Sequence, residues 1–289
     1  MSTSRIILSA ALVIASSIAV AKEAEHSAHS SVADDVIAKQ NLNLVTNTAG
    51  KGAGPQSPRD INSTAGTNPI VFSPAPAASN LNLCNIHFHQ FAEHKGGEFN
   101  TYAGNGDGQG HESGYRYSGQ LSKKELAHVK HKICASEHGS LNPGDTIEVH
   151  YVHSSAQVMP GATLAACMNE AIKNPQLRVE AQVYVLVNDT HAADFRSLTK
   201  VDKLAGYYQA PNIPTDTGTP IQYAGSTTGP NYDEQGSPFE VTWSVRPKIK
   251  KVNITTVGEW CKANEFKEDH GHGVRNLVVD PDLLSKIVQ

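Results

Sequence analysis

Short runs of alternating or continuously apolar residues, rich in β-branched and aromatic side chains, dominate the chain from Ile70 onward. Gly, Pro, Asn or Asp bounds each run, as is typical of strands that end in turns. We expect strands at residues 83–91, 146–153, 179–187 and 239–245. The pattern therefore predicts a mainly β fold with a few short helices and long loops.

Two segments carry helical signals. In residues 122–135, Glu125 follows Ser122 by three positions, which is the spacing of a capping box. A second helix is predicted at residues 256–266. The glycine-rich run 104–114 does not have the spacing of a phosphate-binding or calcium-binding loop, so we interpret it as a flexible turn.

The first residues predict an export signal. Arg5 precedes an apolar run at residues 6–20, and Ala-Val-Ala at 19–21 provides a small-x-small cleavage pattern. The run is too short and too rich in Ala and Ser to span a membrane. We expect a signal peptide at 1–21, a flexible N-terminal segment at 22–55 and a single domain at 56–289.

Charge and cysteine content narrow the function classes. The formal net charge is −4, and Lys and Arg are not clustered, so we expect no nucleic-acid partner and, for the mature form, no membrane partner. None of these features indicates an oligomeric state. An even number of cysteines in an exported protein predicts two disulfides, with three connectivities open. The cysteines are Cys84, Cys134, Cys167 and Cys261. The leader favours a secreted protein, with the bacterial periplasm as its compartment.

Histidines form the strongest chemical pattern. His87 and His89 are two residues apart in a predicted strand and therefore share one face. His150 lies in the next predicted strand, whereas His153 points to that strand's opposite face. Neighbouring strands lie about 5 Å apart, so His87, His89 and His150 can converge on one metal ion. Three protein ligands leave a tetrahedral ion one open position, as in catalytic zinc sites.

Two polar residues are placed to orient these rings. Glu148 precedes His150 by two positions, and Asn85 precedes His87 by two. Each would accept the proton of the ring nitrogen that does not bind the metal, which fixes the tautomer. His270 and His272 are expected in an exposed C-terminal tail. His128, His131 and His138 are expected on the surface, in or near the first predicted helix.

Five further segments occur in order along the chain: QSPRDI at 56–61, IHFH at 86–89, EVHYVH at 148–153, YAGSTT at 223–228 and EVTW at 240–243. Together they resemble motifs of α-class carbonic anhydrases. The chain is more similar still to the δ class, through CNIHFH at 84–89 with AEH at 92–94, EVH at 148–150 with HSSA at 153–156, and VEAQVY at 179–184 with VND at 187–189.

This resemblance implies a fold and an activity. The fold would be α-carbonic-anhydrase-like, with a large central, mostly antiparallel sheet that carries the metal on its face. The metal would be Zn²⁺, with Co²⁺ or Cd²⁺ as alternatives, bound by His87, His89 and His150. The reaction would be the reversible hydration of carbon dioxide to bicarbonate and a proton by a metal-bound hydroxide.

The resemblance also implies roles around the metal. Thr227 would accept a hydrogen bond from the hydroxide and donate one to Glu93, with Glu98 as the rival carboxylate. The α-class proton-shuttle histidine has no counterpart here, and His111 in the glycine-rich run is the predicted relay. Direct transfer from water to buffer is the alternative. The substrate pocket would be formed by Val152, Val179, Val241 and Trp243.

Two other functions remain open from the residues. His87, His89 and Glu93 also fit the H-x-H-x3-E motif of a cupin, in which Glu93 would be a further ligand to iron or manganese. The glycines expected on either side of that motif are absent. The surplus of histidines also fits a non-catalytic, zinc-binding periplasmic protein. Both remain alternatives to a carbonic anhydrase.

Overall fold

The computed structural model describes residues 31–57, 60–227, 232–274 and 278–287 of the 289-residue chain. The predicted signal peptide at 1–21 lies outside these ranges. Within them, no helix is both long enough and apolar enough to cross a membrane.

The described ranges contain strands and a few short helices. The strands are β1 (Asn82–Gln90), β2 (Thr101–Asn105), β3 (Ser113–Arg116), β4 (Ile133–Ser136), β5 (Gly139–Leu141), β6 (Thr146–Ser154), β7 (Leu177–Val187), β8 (Asp202–Leu204), β9 (Tyr207–Gln209), β10 (Ile221–Ser226), β11 (Glu240–Val245) and β12 (Lys250–Asn253). The α-helices are α1 (Asp34–Thr48), α2 (Phe195–Leu198) and α3 (Ile254–Lys262).

A six-stranded sheet occupies the centre of the molecule, in the order β1-β6-β7-β11-β10, with β12 also paired to β7. The pairs β1–β6, β6–β7 and β10–β11 are antiparallel, whereas β11 and β12 both run parallel to β7. All four strands expected from the pattern lie in this sheet, as β1, β6, β7 and β11. The predicted mainly β fold with a large, mostly antiparallel sheet is confirmed.

Both faces of the sheet are covered by apolar side chains. Phe88 and Val149 belong to a core cluster on one face, and Val152 and Ala181 belong to a second cluster on the other. As a result, every residue of β6 is buried. The second face also carries polar side chains, among them His89 and His150, which are buried, and His87, which is partly buried.

An irregularity in β1 decides which residues face the second cluster. The register with β6 shifts between Leu83 and Asn85, so Cys84 is the extra residue of a β-bulge. Leu83 and Phe88 can then face the first cluster together, although their spacing is odd. Regular alternation after the bulge places His87 and His89 on the opposite face.

The prediction of a helix at residues 122–135 is wrong. Its capping box does form, because Glu125 Oε2 accepts from the Ser122 N–H at 2.7 Å and Ser122 Oγ accepts from the Glu125 N–H at 3.3 Å. Only one turn follows. Ile133 is fully buried and Cys134 is disulfide-bonded to Cys261, and these contacts hold the segment extended as β4.

The other predicted helix is confirmed as α3, with shifted bounds. It begins two residues earlier than expected, where the Asn253 side chain caps it by accepting from the Thr255 N–H at 3.0 Å.

Within the segment expected to be flexible, Asp34–Thr48 forms the helix α1. Only Leu44 and Thr48 of this helix are buried, so the helix does not bury a continuous apolar face. Polar tertiary contacts hold it instead. Asn43 Nδ2 donates to Glu234 Oε2 at 2.6 Å, and Asn47 Nδ2 donates to the Glu234 carbonyl at 3.0 Å.

The four cysteines form two disulfides, as predicted. The pairs are Cys84–Cys167 and Cys134–Cys261. Paired cysteines of this kind are typical of oxidising compartments.

Candidate metal centre

Three imidazoles from two adjacent strands meet on the second face of the sheet. His87 of β1 lies directly opposite His150 of β6, and His89 is the next residue of β1 on that face. One ring nitrogen of each lies within 4.8 Å of the others. His150 is 2% exposed and His89 is 8% exposed, so the group is largely shielded from water. The sheet thus brings together the three histidines whose spacing in the sequence predicts that they converge.

Each ring uses its other nitrogen for a hydrogen bond to an acceptor. A ring nitrogen that faces a carbonyl or carboxylate oxygen carries the proton, which leaves the second nitrogen with a free lone pair. The lone pairs that converge are therefore on His87 Nε2, His89 Nε2 and His150 Nδ1. The three bonds are His87 Nδ1 to Asn85 Oδ1 at 2.6 Å, His89 Nδ1 to the Gly273 carbonyl at 2.8 Å, and His150 Nε2 to Glu148 Oε1 at 2.9 Å.

The distance between two of these lone pairs fits a bound metal ion. His150 Nδ1 lies 3.2 Å from His87 Nε2. Neither nitrogen carries a proton, so they have no hydrogen to share. Tetrahedral zinc with Zn–N bonds of about 2.05 Å places its nitrogen ligands about 3.3 Å apart. A divalent ion between the two lone pairs would make this close approach favourable.

Glu148 links the metal face to a buried network. It is fully buried, and besides the His150 ring it accepts from the His94 N–H at 2.9 Å and from His94 Nδ1 at 2.6 Å. Burial alone would raise the pKa of Glu148, but the neighbouring His94 and His150 rings hold it well below its usual value. His94 Nε2 in turn contacts the Tyr223 hydroxyl at 2.7 Å. These hydrogen bonds thus hold the Glu148 carboxylate, as an anion, next to the His150 ring.

The rings of β1 are held in their neutral form. Burial, followed by repulsion from His150 and His89, lowers the pKa of His87 well below 6.5. Burial also lowers the pKa of His89 to about 4, although Glu93 partly opposes the shift. Neutral imidazole is the form that ligates metals.

His272 also lies at the site, and its expected place in an exposed tail is wrong. Its N–H donates to the Phe88 carbonyl at 2.9 Å and its carbonyl accepts from the Gln90 N–H at 3.1 Å, so it covers the outer edge of β1. Its ring centre is 5.4 Å from that of His87, and its Nε2 contacts Glu268 Oε2 at 2.6 Å. The glycine before His272 allows this close approach, because a Cβ at Gly271 would lie 3.1 Å from the Gln90 nitrogen.

A cavity of about 860 Å³ opens over the three histidines. Its lining includes the apolar side chains of Leu164, Leu177 and Phe239. Four further histidines also line it: His111, His138, His270 and His272. Such a cavity offers an apolar surface and polar groups to a small substrate at the same point.

Thr227 and Glu93 both line this cavity. Thr227 directly follows β10, and its N–H donates to the Phe239 carbonyl at 3.0 Å. Glu93 is 2% exposed, and its Oε2 lies 3.7 Å from His89 Nε2. Phe91, with a φ of 64°, turns the chain after β1 and returns it beneath the histidines. The rival carboxylate Glu98 is exposed instead, where its Oε2 accepts from the Ile249 N–H at 2.9 Å.

His111 lines the cavity from the loop between β2 and β3. Its ring stacks on His138, with ring centres 3.4 Å apart and planes 5° apart. Burial, followed by the neighbouring His138, lowers the pKa of His111. His138 is therefore part of the cavity wall and not only a surface residue as expected, whereas His128 and His131 are exposed as predicted.

The four predicted pocket residues lie behind the site. Val152, Val179, Val241 and Trp243 are each at most 2% exposed and belong to the second core cluster. Trp243 packs against the His150 ring at a centre distance of 5.0 Å, and its Nε1 donates to the Ser226 carbonyl at 3.0 Å. Among the described residues, none of the four lines the cavity. Their contact with carbon dioxide stays a prediction.

A family model described as "Delta carbonic anhydrase" matches residues 78–256, which include β1, β6 and all three histidines. The chain belongs to the delta carbonic anhydrase family. It is therefore an enzyme, a carbonic anhydrase, and its substrates are the small molecules carbon dioxide and bicarbonate. The cupin and non-catalytic interpretations are set aside by this match. A search of curated protein sequences finds no match.

Solved structures of carbonic anhydrases show a distant likeness to the enzyme. The α-carbonic anhydrase of Thermovibrio ammonificans, in complex with sulfanilamide, is 15% identical over 82% of this chain and 88% of that chain, with a TM-score of 0.29. The Photobacterium profundum α-carbonic anhydrase is 14% identical over 86% of this chain and 96% of that chain, also with a TM-score of 0.29. The family model, and not these likenesses, identifies the chain.

Proposed function

We propose that the enzyme hydrates carbon dioxide at a divalent metal ion held by His87, His89 and His150. The observation that carries this proposal is the convergence of three unprotonated ring nitrogens, two of them 3.2 Å apart. An all-imidazole set with an open fourth position suits Zn²⁺, and Co²⁺ or Cd²⁺ also fit it. When bound, zinc lowers the pKa of water to about 7, the value characteristic of carbonic anhydrases, and so supplies hydroxide at neutral pH.

Asn85, Glu148 and the Gly273 carbonyl keep the three imidazoles in their ligating tautomers. Each accepts the proton of the nitrogen that faces away from the metal. The Asn85 amide is itself oriented, because its Nδ2 donates to the Gly161 carbonyl at 2.9 Å. Glu148 is negative, so it also raises the basicity of the His150 ring.

Thr227 and Glu93 orient the attacking oxygen in this proposal. The Thr227 hydroxyl would accept a hydrogen bond from that oxygen while donating its own proton to the Glu93 carboxylate. One lone pair of the oxygen would then point at the carbon of the substrate. Burial of Glu93 and the shared cavity wall support the assignment, whereas Glu98 faces solvent.

Carbon dioxide is apolar and would lie against the apolar wall of the cavity. Leu164 and Phe239 present that wall directly. Val152, Val179, Val241 and Trp243 are the pocket residues predicted from the resemblance, and they pack behind the site.

His111 would carry the released proton to the solvent. Its ring lines the cavity and is partly exposed, so it can exchange protons with the cavity on one side and with buffer on the other.

The catalytic domain is proposed to span 56–289, which contains every matched residue. Contacts at its start support that bound. The Gln56 N–H donates to the Leu283 carbonyl at 2.7 Å, and the Gln56 carbonyl accepts from the Ser285 N–H at 2.8 Å. The start and the end of this domain thus lie together. The two disulfides support an oxidising compartment, and we propose export from the cell, with the periplasm as the destination.

The test compares His150→Ala with His153→Ala. His150→Ala removes a converging lone pair, so it should lose one equivalent of bound zinc together with carbon dioxide hydration. His153 belongs to the same strand but faces the other core, and its Nδ1 contacts the Tyr151 carbonyl at 3.0 Å. The folded His153→Ala variant should keep both zinc and activity. Full zinc occupancy with full activity in His150→Ala would refute the proposed site.

A further inference from the structure

A second cluster of ligating side chains lies at the cavity, on elements separate from β1 and β6. Asp107 and His111 are in the loop between β2 and β3, and His138 is in the turn between β4 and β5. One potential ligand atom from each lies within 4.8 Å of the others. All three side chains are partly exposed, so an ion could reach them from solvent.

The loop holds its two members in place before any ion arrives. Asp107 Oδ1 accepts from the Gln109 N–H at 2.7 Å and from the His111 N–H at 3.1 Å. These bonds do not use the second carboxylate oxygen. A Cβ at Gly106, whose φ is 57°, would lie 1.8 Å from the His111 carbonyl, so only glycine allows this tight turn. The turn therefore presents a carboxylate and an imidazole together.

The two imidazoles are neighbours, stacked with ring centres 3.4 Å apart and planes 5° apart. The lone pairs of parallel rings do not converge, so the rings must rotate out of the stack to bind one ion. Their ligand atoms lie within 4.8 Å of each other, which is close enough for side-chain rotation to bring both to a common ion.

We propose that Asp107, His111 and His138 bind a second divalent transition-metal ion at the cavity wall. Two imidazoles and one carboxylate suit Zn²⁺, Cu²⁺ or Ni²⁺, whereas Mg²⁺ and Ca²⁺ require mostly oxygen ligands. Three protein ligands leave further positions for water, so this ion exchanges with solvent.

Occupation of this site has two consequences. The ion joins the β2–β3 hairpin to the β4–β5 hairpin, which stabilises both against opening. It also takes up the His111 lone pair, so His111 cannot relay protons while the ion is bound. This second consequence rests on the proposed relay role of His111, whereas the binding itself does not.

The experiment counts Zn²⁺ bound to the His89→Ala protein, in which the main site is impaired, and to the parent protein. Both should bind an equivalent of Zn²⁺ that disappears in His138→Gln. Hydrogen exchange should slow in both hairpins when Zn²⁺ is added, and His138→Gln should abolish that slowing. These readouts do not depend on carbonic anhydrase activity, so failure of the proposed function leaves them interpretable.

Matched controls separate this site from surface binding. His128→Gln removes an exposed histidine elsewhere and should leave the count unchanged. His270→Gln removes a cavity histidine that contacts Asp269 Oδ1 at 2.5 Å, and it should also leave the count unchanged. An unchanged count in His138→Gln, or an equal loss in either control, would overturn the proposal.

Discussion

At the scale of single residues, the acceptor behind each imidazole determines which ring nitrogen keeps a free lone pair. Asn85 and Glu148 are side-chain acceptors two residues before their histidines, as the strand period allows. The third acceptor is the Gly273 carbonyl, 184 residues from His89. The resulting donor set mixes two Nε2 atoms with one Nδ1 atom, because His150 alone turns its Nε2 toward the protein interior.

Thr227→Val should lower kcat/KM about 10²-fold, which corresponds to ~3 kcal/mol, because the attacking oxygen loses an oriented hydrogen bond. Bound zinc should be unchanged, since Thr227 is not a proposed ligand. Thr227→Ser keeps the hydroxyl and serves as the matched control. Stopped-flow hydration assays with zinc analysis measure both quantities.

The carboxylate partner is tested by the same assay. Glu93→Gln should lower the rate, whereas Glu98→Gln should not, because Glu98 is exposed and bonded to the Ile249 N–H. If Glu98→Gln lowers the hydration rate more than Glu93→Gln does, Glu93 is not the carboxylate partner of Thr227.

His111→Ala should slow kcat in dilute buffer while kcat/KM stays nearly constant, because proton release follows the chemical step. Concentrated imidazole should restore kcat by taking over the proton. His128→Ala is the control for loss of an exposed histidine. A parent-like kcat in dilute buffer would show that the proton leaves through water alone.

At the scale of elements, the two disulfides have different relations to the metal centre. Cys84–Cys167 ties β1, beside Asn85, to the turn Leu164–Cys167, whose Leu164 lines the cavity. Cys134–Cys261 ties β4 to α3 on the other side of the sheet. One bond therefore supports the site, and the other supports the opposite core.

Thiol titration of the denatured, unreduced enzyme should detect no free cysteine. Replacing either pair by serine should lower the free energy of unfolding by about 2–4 kcal/mol, because the unfolded chain regains entropy. Only the Cys84/Cys167 double variant should also weaken zinc binding. Equal effects of both double variants on zinc affinity would contradict the separate roles.

At the scale of the whole molecule, His153 couples stability to pH. It is 1% exposed on the face away from the metal. Burial is the main cause that lowers its pKa from 6.5 to about 4, while its bond to the Tyr151 carbonyl acts in the opposite direction. The folded state therefore resists protonation of this ring, whereas the unfolded state takes up a proton below about pH 6.5.

Stability should fall as pH drops from about 6.5 to about 4 and then show no further change from this group. The loss corresponds to about 3 kcal/mol at most. His153→Gln should flatten the pH dependence of the free energy of unfolding over that interval, measured by denaturant titration of the zinc-loaded protein. An unchanged slope in the variant would assign the acid sensitivity to other groups.

Strand positions and the meeting of His87, His89 and His150 were predictable because they depend on a local rule. Side chains alternate across a strand with a period of two, so spacing alone assigns residues to a face. The helix predicted at residues 122–135 does not form, because contacts between distant segments override the local signal there. Its capping box is a correct local signal, but the core contacts of Ile133 and the disulfide of Cys134 stabilise a strand there instead.

Residue type and short-range spacing were sufficient to predict the mainly β class, the strand face on which His87, His89 and His150 meet, and that all four cysteines are in disulfides. The disulfide connectivity, the docking of α1, the position of His272 at β1 and the stacking of His111 on His138 came from the folded structure. These features depend on contacts between segments far apart in the chain. Local spacing carries no information on such contacts, because their free energy exists only once the sheet has brought the segments together.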